Sequence, residues 1–204
     1  VLGIAGGLLA IVVVVAAVIA IPILTHRDQG TSTQEDTGEA WPTEVTASGD
    51  DGRERVLSVV AEDGGAVDTS ALVPGEHLVV TGAGFDGAQG IYVAICVIPD
   101  SPEVKPGPCI GGVPTQQQSD VADGTVQWAP SNWINDDWAW KLFGARSYDD
   151  PVAGTFTAYL VVGDPVGQGF DCRTEPCGIV TRNDHTALAD RVQDVRIPVG
   201  FAAE

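Results

Sequence analysis

Hydrophobic positions are distributed along this chain in two unlike ways. Residues 1–24, VLGIAGGLLAIVVVVAAVIAIPIL, carry no charged or polar side chain. Roughly 20 such residues span the hydrocarbon core of a bilayer, whereas the apolar part of a cleaved secretory signal runs about 7–15. The pattern predicts a retained membrane helix over 1–24. The chain opens on Val1 rather than Met, so a cytoplasmic segment is expected upstream. Residues 25–53 are polar, rich in Gly, Ser, Thr, Asp and Glu, and lack a hydrophobic period. That composition predicts a flexible tether, with Trp41-Pro42 its one apolar point. From 54 to 204 short apolar runs alternate with turn residues. LSVVA at 57–61, HLVVTG at 77–82, IYVAICVI at 91–98, TVQWA at 125–129, TFTAYLVV at 155–162, GIVTR at 178–182 and VRIPV at 195–199 read as seven strands. IYVAICVI is apolar on both faces, as a central strand is. No segment after residue 30 has an amphipathic helical period. The fold class predicted is all-β, a β-sandwich preceded by one transmembrane helix.

One interval breaks the strand pattern. WAPSNWINDDWAWKLF, 128–143, holds four of the five Trp at a spacing that fits neither strand nor helix. It reads either as a loop folded over the sandwich or as a partner surface, since Trp is over-represented where interfaces bind most strongly. Trp128 is expected in the core on a strand, and Trp133, Trp138 and Trp140 at the partner surface.

Charge narrows the partners. The chain carries −18 overall, and all 28 carboxylates follow residue 27. Such a surface repels phosphate backbones and excludes nucleic acid. Its ordinary use is solubility, and its sharper use is docking on a basic surface. Within the apolar stretch, Gly3, Gly7 and Ala10 lie on one helix face, and small residues at this spacing let two membrane helices pack closely. The lipid around 1–24 is the other expected neighbour.

Little points to catalysis. Gly-x-Ser-x-Gly is absent, and Asp184-His185 are adjacent, an arrangement that rarely orients a triad. Asp50-Asp51, Asp136-Asp137 and Asp149-Asp150 lack the alternating oxygen ligands of a calcium loop. The four cysteines, Cys96, Cys109, Cys172 and Cys177, form two local pairs beyond the apolar stretch. An even count in local pairs suits an oxidising compartment, so the C-terminal part is placed outside the cytoplasm. By spacing alone Cys-x4-Cys leaves metal ligand, redox pair and staple open. His77 and His185 come from separate segments, and a redox Cys-x2-Cys is absent, which weighs against the first two.

VTGAGFDGAQGIYVAICV with Cys109 downstream, and FDCRTEPCGIVTRNDHTALADRVQDVRIPVGF later, resemble the neocarzinostatin-type Ig-like domains secreted by actinobacteria. The similarity covers about residues 70–201. It implies an Ig-like sandwich with disulfides Cys96–Cys109 and Cys172–Cys177. The Trp-rich insertion and the apolar N-terminal stretch depart from that family's small chromoproteins. The function expected is a non-catalytic single-pass accessory subunit on the outer face of an integral membrane complex, with no metal and no cofactor. The respiratory supercomplex of actinobacteria, joining a cytochrome bcc complex to an aa3-type oxidase, resembles such a setting. The alternative is an envelope module binding an apolar small molecule or haem.

Overall fold

The computed structural model describes residues 13–17, 20–21, 23–112 and 126–203. Residues 13–17, 20–21 and 23–25 are helical. Among the described residues no helix is long and apolar enough to cross a membrane. Most of the expected helix over 1–24, including Gly3, Gly7 and Ala10, lies outside them.

Eleven strands follow: β1 (Ser32–Gln34), β2 (Glu44–Gly49), β3 (Glu54–Ala61), β4 (His77–Ala83), β5 (Ile91–Val97), β6 (Ser131–Ile134), β7 (Phe156–Val161), β8 (Val166–Gly167), β9 (Phe170–Asp171), β10 (Cys177–Asn183) and β11 (Val195–Val199). A one-turn helix, α1 (Trp138–Lys141), follows β6. Two sheets, β1-β2-β3-β4-β7 and β11-β10-β5-β6, face each other, and β8-β9 form a separate ribbon. The neighbouring strands in each sheet are antiparallel. The result is an all-β, sandwich-like fold with two disulfides, compatible with an Ig-like domain.

Alternation decides which faces meet. Leu57 and Val59 on β3, Leu78 and Val80 on β4, and Phe156, Ala158 and Leu160 on β7 point inward. Opposite them stand Ile91, Val93 and Ile95 of β5, Ile179 of β10, and Val195 and Ile197 of β11. Each large aliphatic side chain so buried stabilises the fold by about 1.5–3 kcal/mol. β5 lies between β10 and β6, and its outer residues are buried too. Ala94 and Cys96 pack there with Cys109 and Val180 in a small second cluster. The turn before β5 brings two segments of the chain close at Gly84 (φ 78°), where a Cβ would stand 1.9 Å from the Glu54 carbonyl oxygen.

Three expectations change. Residues 25–53 are not a free tether. Val45 and Ala47 of β2 are buried, and β1 pairs with β2 from Ser32↔Gly49 to Gln34↔Ala47. Their alternating side chains are small or polar, so the amphipathic signal is faint. TVQWA is not a strand in its described part: Ala129 makes one bridge to Leu160, and the ladder with β5 begins at Ser131. Trp128 is therefore not a core strand residue. It lies half-buried, stacked on His77 at 4.2 Å and edge-on to Tyr159 at 5.3 Å.

The antiparallel order gives the sandwich two distinct ends. One collects the β2–β3 and β4–β5 turns, the 135–155 excursion and the 184–194 loop. The opposite end holds Cys96–Cys109, Cys172–Cys177 and the β8-β9 ribbon. The disulfides close loops with separations of 13 and 5 residues. Non-reducing peptide mapping is expected to return these two pairs. Replacing either with two serines should cost about 2–3 kcal/mol of stability in chemical denaturation, the longer loop costing more.

Candidate functional site

The site lies at the end where the N-terminal apolar stretch meets the sandwich. Its centre is Asp184, fully buried at the end of β10. A buried carboxylate must be satisfied by donors. Oδ2 accepts from the indole Nε1–H of Trp133 at 2.8 Å and from Nδ2 of Asn135 at 2.9 Å. Oδ1 accepts from the backbone N–H of Thr186 at 2.8 Å and from its hydroxyl at 2.6 Å. Trp133 is thereby fixed against the outer face of its sheet, 7% exposed, with Tyr92 beside it at 6.0 Å.

Asn135 continues the order outward. Its Oδ1 accepts from the N–H of Asp137, and Asp137 caps α1 by accepting from the N–H of Ala139, both at 2.9 Å. Such a cap is worth about 1 kcal/mol. The Asn135 N–H donates to the Arg146 carbonyl, and the Arg146 N–H to the Trp133 carbonyl, both at 2.8 Å, which returns the excursion to β6. The aromatic segment is thus a closed, tied-down loop. Ala139 is buried, and Trp140 is half-buried against His185 at 4.5 Å. Trp138, Leu142 and Phe143 project outward, 62%, 72% and 46% exposed. Lys141 pairs with Asp136 at 2.7 Å.

Beside this turn the chain from the apolar stretch is clamped. Asp190, fully buried, pairs with His26 Nε2 at 2.7 Å and accepts from the N–H groups of Gln29 and Val192. Arg191 donates its N–H to the Gly30 carbonyl at 3.0 Å, and the Ser32 hydroxyl donates to the Val192 carbonyl. His185 joins clamp and turn. It meets the Tyr92 hydroxyl at 3.1 Å, packs on Trp133 and Trp140, and lines a cavity of about 290 Å³ with Ile23, His26 and Leu188. Asp194 closes the loop through Arg191 at 2.8 Å. Burial pushes its carboxyl up to about 7, with the Arg191 guanidinium pulling the other way.

The four residues that spacing grouped are thus separated by geometry. Trp133 is a structural residue with its indole bonded inside, Trp140 is its cover, Trp128 stacks on His77, and of the four only Trp138 is exposed. Leu142, Phe143, His26, Asp190 and Tyr92 are not foreseen by sequence, and Asp184 is weighed there only as a triad neighbour of His185; the local Asp184-His185-Thr186 turn, with carboxylate and hydroxyl two residues apart, is the available signal. The Asp184 carboxylate is engaged with Trp133, Asn135 and Thr186 rather than with His185. Among the described residues no group of three or more His, Cys, Asp or Glu side chains is placed to hold a metal. At the opposite end, Cys109, Ile110, Pro130, Val166 and Phe170 line an apolar cleft of about 490 Å³ between the ribbon and the first disulfide.

No family model, curated protein or solved structure matches the chain.

Two outcomes follow from this geometry. Trp133→Ala should cost about 3–5 kcal/mol in denaturant melts of the full chain in mild detergent. Trp138→Ala should stay within about 0.5 kcal/mol, as exposed positions do. The second concerns pH. Asp194 holds its proton in the folded state up to about 7, while unfolded it releases it near 3.8. Between those values the folded state binds the extra proton, so stability falls as pH rises, by at most about 1.4 kcal/mol per pH unit. Asp194→Asn should flatten that slope in melts between pH 5 and 8.

Proposed function

We propose that the protein is a non-catalytic, single-pass membrane subunit whose extracytoplasmic Ig-like sandwich docks on and stabilises a larger membrane assembly. The observation that carries this reading is the clamp from His26 to Asp190, continued by Gly30 and Ser32. It sets the sandwich directly on the end of the apolar stretch and leaves no slack between them. A domain held this way has a fixed face toward the membrane and fixed flanks toward its neighbours, which suits a subunit better than a freely searching module. The membrane helix over 1–24, with Gly3, Gly7 and Ala10 as its packing face, is part of the proposal. So are the extracytoplasmic placement, which the two disulfides favour, and the neocarzinostatin-type ancestry. The respiratory bcc–aa3 supercomplex of actinobacteria, whose setting resembles this one, is the assembly proposed.

A second reading rests on the cleft beside Cys109 and Phe170. It makes the protein an envelope module carrying an apolar small molecule or haem at the end away from the anchor. Extraction in mild detergent separates the two. Partner subunits in fixed stoichiometry support docking; a bound chromophore and no partner support the second reading. Gly3→Leu with Gly7→Leu should lower the recovered partner several-fold while leaving membrane insertion intact, because Leu adds apolarity but blocks close helix approach. Unchanged partner recovery would remove the small-residue face from the proposal.

A further inference from the structure

We infer that the exposed edge of the aromatic turn, Trp138, Leu142 and Phe143, seats the sandwich in the interfacial layer of a zwitterionic phospholipid bilayer. The inference rests on the reading of 1–24 as a membrane helix and names what the turn meets once the chain is anchored. Its first support is continuity. The last helical turn at the anchor end carries Ile23 and Leu24, exposed 37% and 81%. Ile23 lines the same cavity as His185 and Leu188, and Leu188 is 59% exposed. His185 packs on Trp140, and Trp140 on Phe143 at 6.2 Å. An apolar path therefore runs from the end of the anchor across the loop to the turn, interrupted at the cavity by Asp28, whose carboxylate accepts from the Gly30 N–H.

The second support is rigidity. The bond between His26 and Asp190 and that from Arg191 to Gly30 fix the sandwich within a few residues of the apolar stretch. Whichever layer receives residues 1–24 is the layer this end of the sandwich faces. The turn itself is held by the Asp137 cap and by the return to β6, so its backbone is already ordered before contact.

The third is chemistry. Trp, Phe and Leu are side chains that partition to the boundary between headgroups and chains, the Trp ring apolar and its N–H polar. The nearest carboxylates are already engaged, Asp136 with Lys141 and Asp137 with the helix N-terminus. With −18 on the chain as a whole, an anionic headgroup layer is disfavoured, which selects a zwitterionic one. A protein groove could also receive these three residues, and the test separates the cases.

Full chain carrying a nitroxide at Leu142→Cys is placed in phosphatidylcholine vesicles. A second variant, Leu188→Cys, repeats the measurement. A control, Val73→Cys, sits at the opposite end, 52% exposed. Collision with oxygen and with a polar nickel chelate is read at each. The expected result is several-fold preference for oxygen at 142 and 188 relative to 73. If the chain floats with the vesicles but positions 142 and 188 are as open to the nickel chelate as 73, the seat is wrong and the anchor stands. If the chain does not float, both the anchor and the seat fail. If position 142 is shielded only after the copurifying assembly is added, the turn meets protein, and the lipid seat is overturned.

Discussion

The carboxylate of Asp190 decides how this molecule is put together. It is fully buried, so it must collect donors from whatever reaches it, and what reaches it is the chain leaving the apolar stretch. His26 and the Gln29 N–H come from that chain, and the Val192 N–H from the loop itself. Once these are joined, residues 30–34 have no freedom to wander. Thr31 bridges Arg191, β1 pairs with β2, and Gln34 accepts from the N–H of Arg196 on β11. One buried charge therefore converts a polar, weakly patterned segment into the edge of a sheet and links the two sheets along that edge.

The same economy of constraint appears at each end in a different currency of chemistry. At the end that receives the N-terminal stretch, order comes from buried carboxylates: Asp184 holds the aromatic loop and Asp190 holds the emerging chain. Neither requires a covalent bond, but each would leave several donors unpaired if lost. At the opposite end loops are long and glycine-rich, and two disulfides do the equivalent job by limiting the unfolded chain. The apolar cleft lies among these stapled loops, and the exposed aromatic turn lies among the carboxylate-tied ones. The cleft and the exposed turn are thus separated by the length of the strands.

How much of this the sequence disclosed depends on the range of the interaction. β3, β4, β5, β7, β10 and β11 were readable because β-branched and aromatic residues recur at period two, or fill both faces of a central strand. Pairing of cysteines was suggested by local spacing and fixed by resemblance. β1 and β2 were hidden, because Ser, Thr, Gln and Ala satisfy a sheet without advertising it. β6 was hidden inside the Trp run, where Trp133 looks no different from Trp138. Their fates diverge because Asp184, 51 residues further on, accepts the indole proton of Trp133. No window of local sequence contains that acceptor. The flexible tether failed for the same reason: Asp190 lies 164 residues from His26.

A tether and a clamp give a domain that follows an apolar stretch different physics. On a flexible linker of some thirty residues, the sandwich would sample a hemisphere of orientations and pay the loss of that freedom on each docking event. With the clamp, that orientational entropy is lost once, during folding, where the hydrophobic core of two packed sheets offsets it. Every later contact made by that end then begins from a correctly turned domain, so under the proposed function modest surfaces suffice. The acidic flanks fit the same logic. They keep the sandwich soluble and, on the proposed reading, discourage tilting onto anionic headgroups.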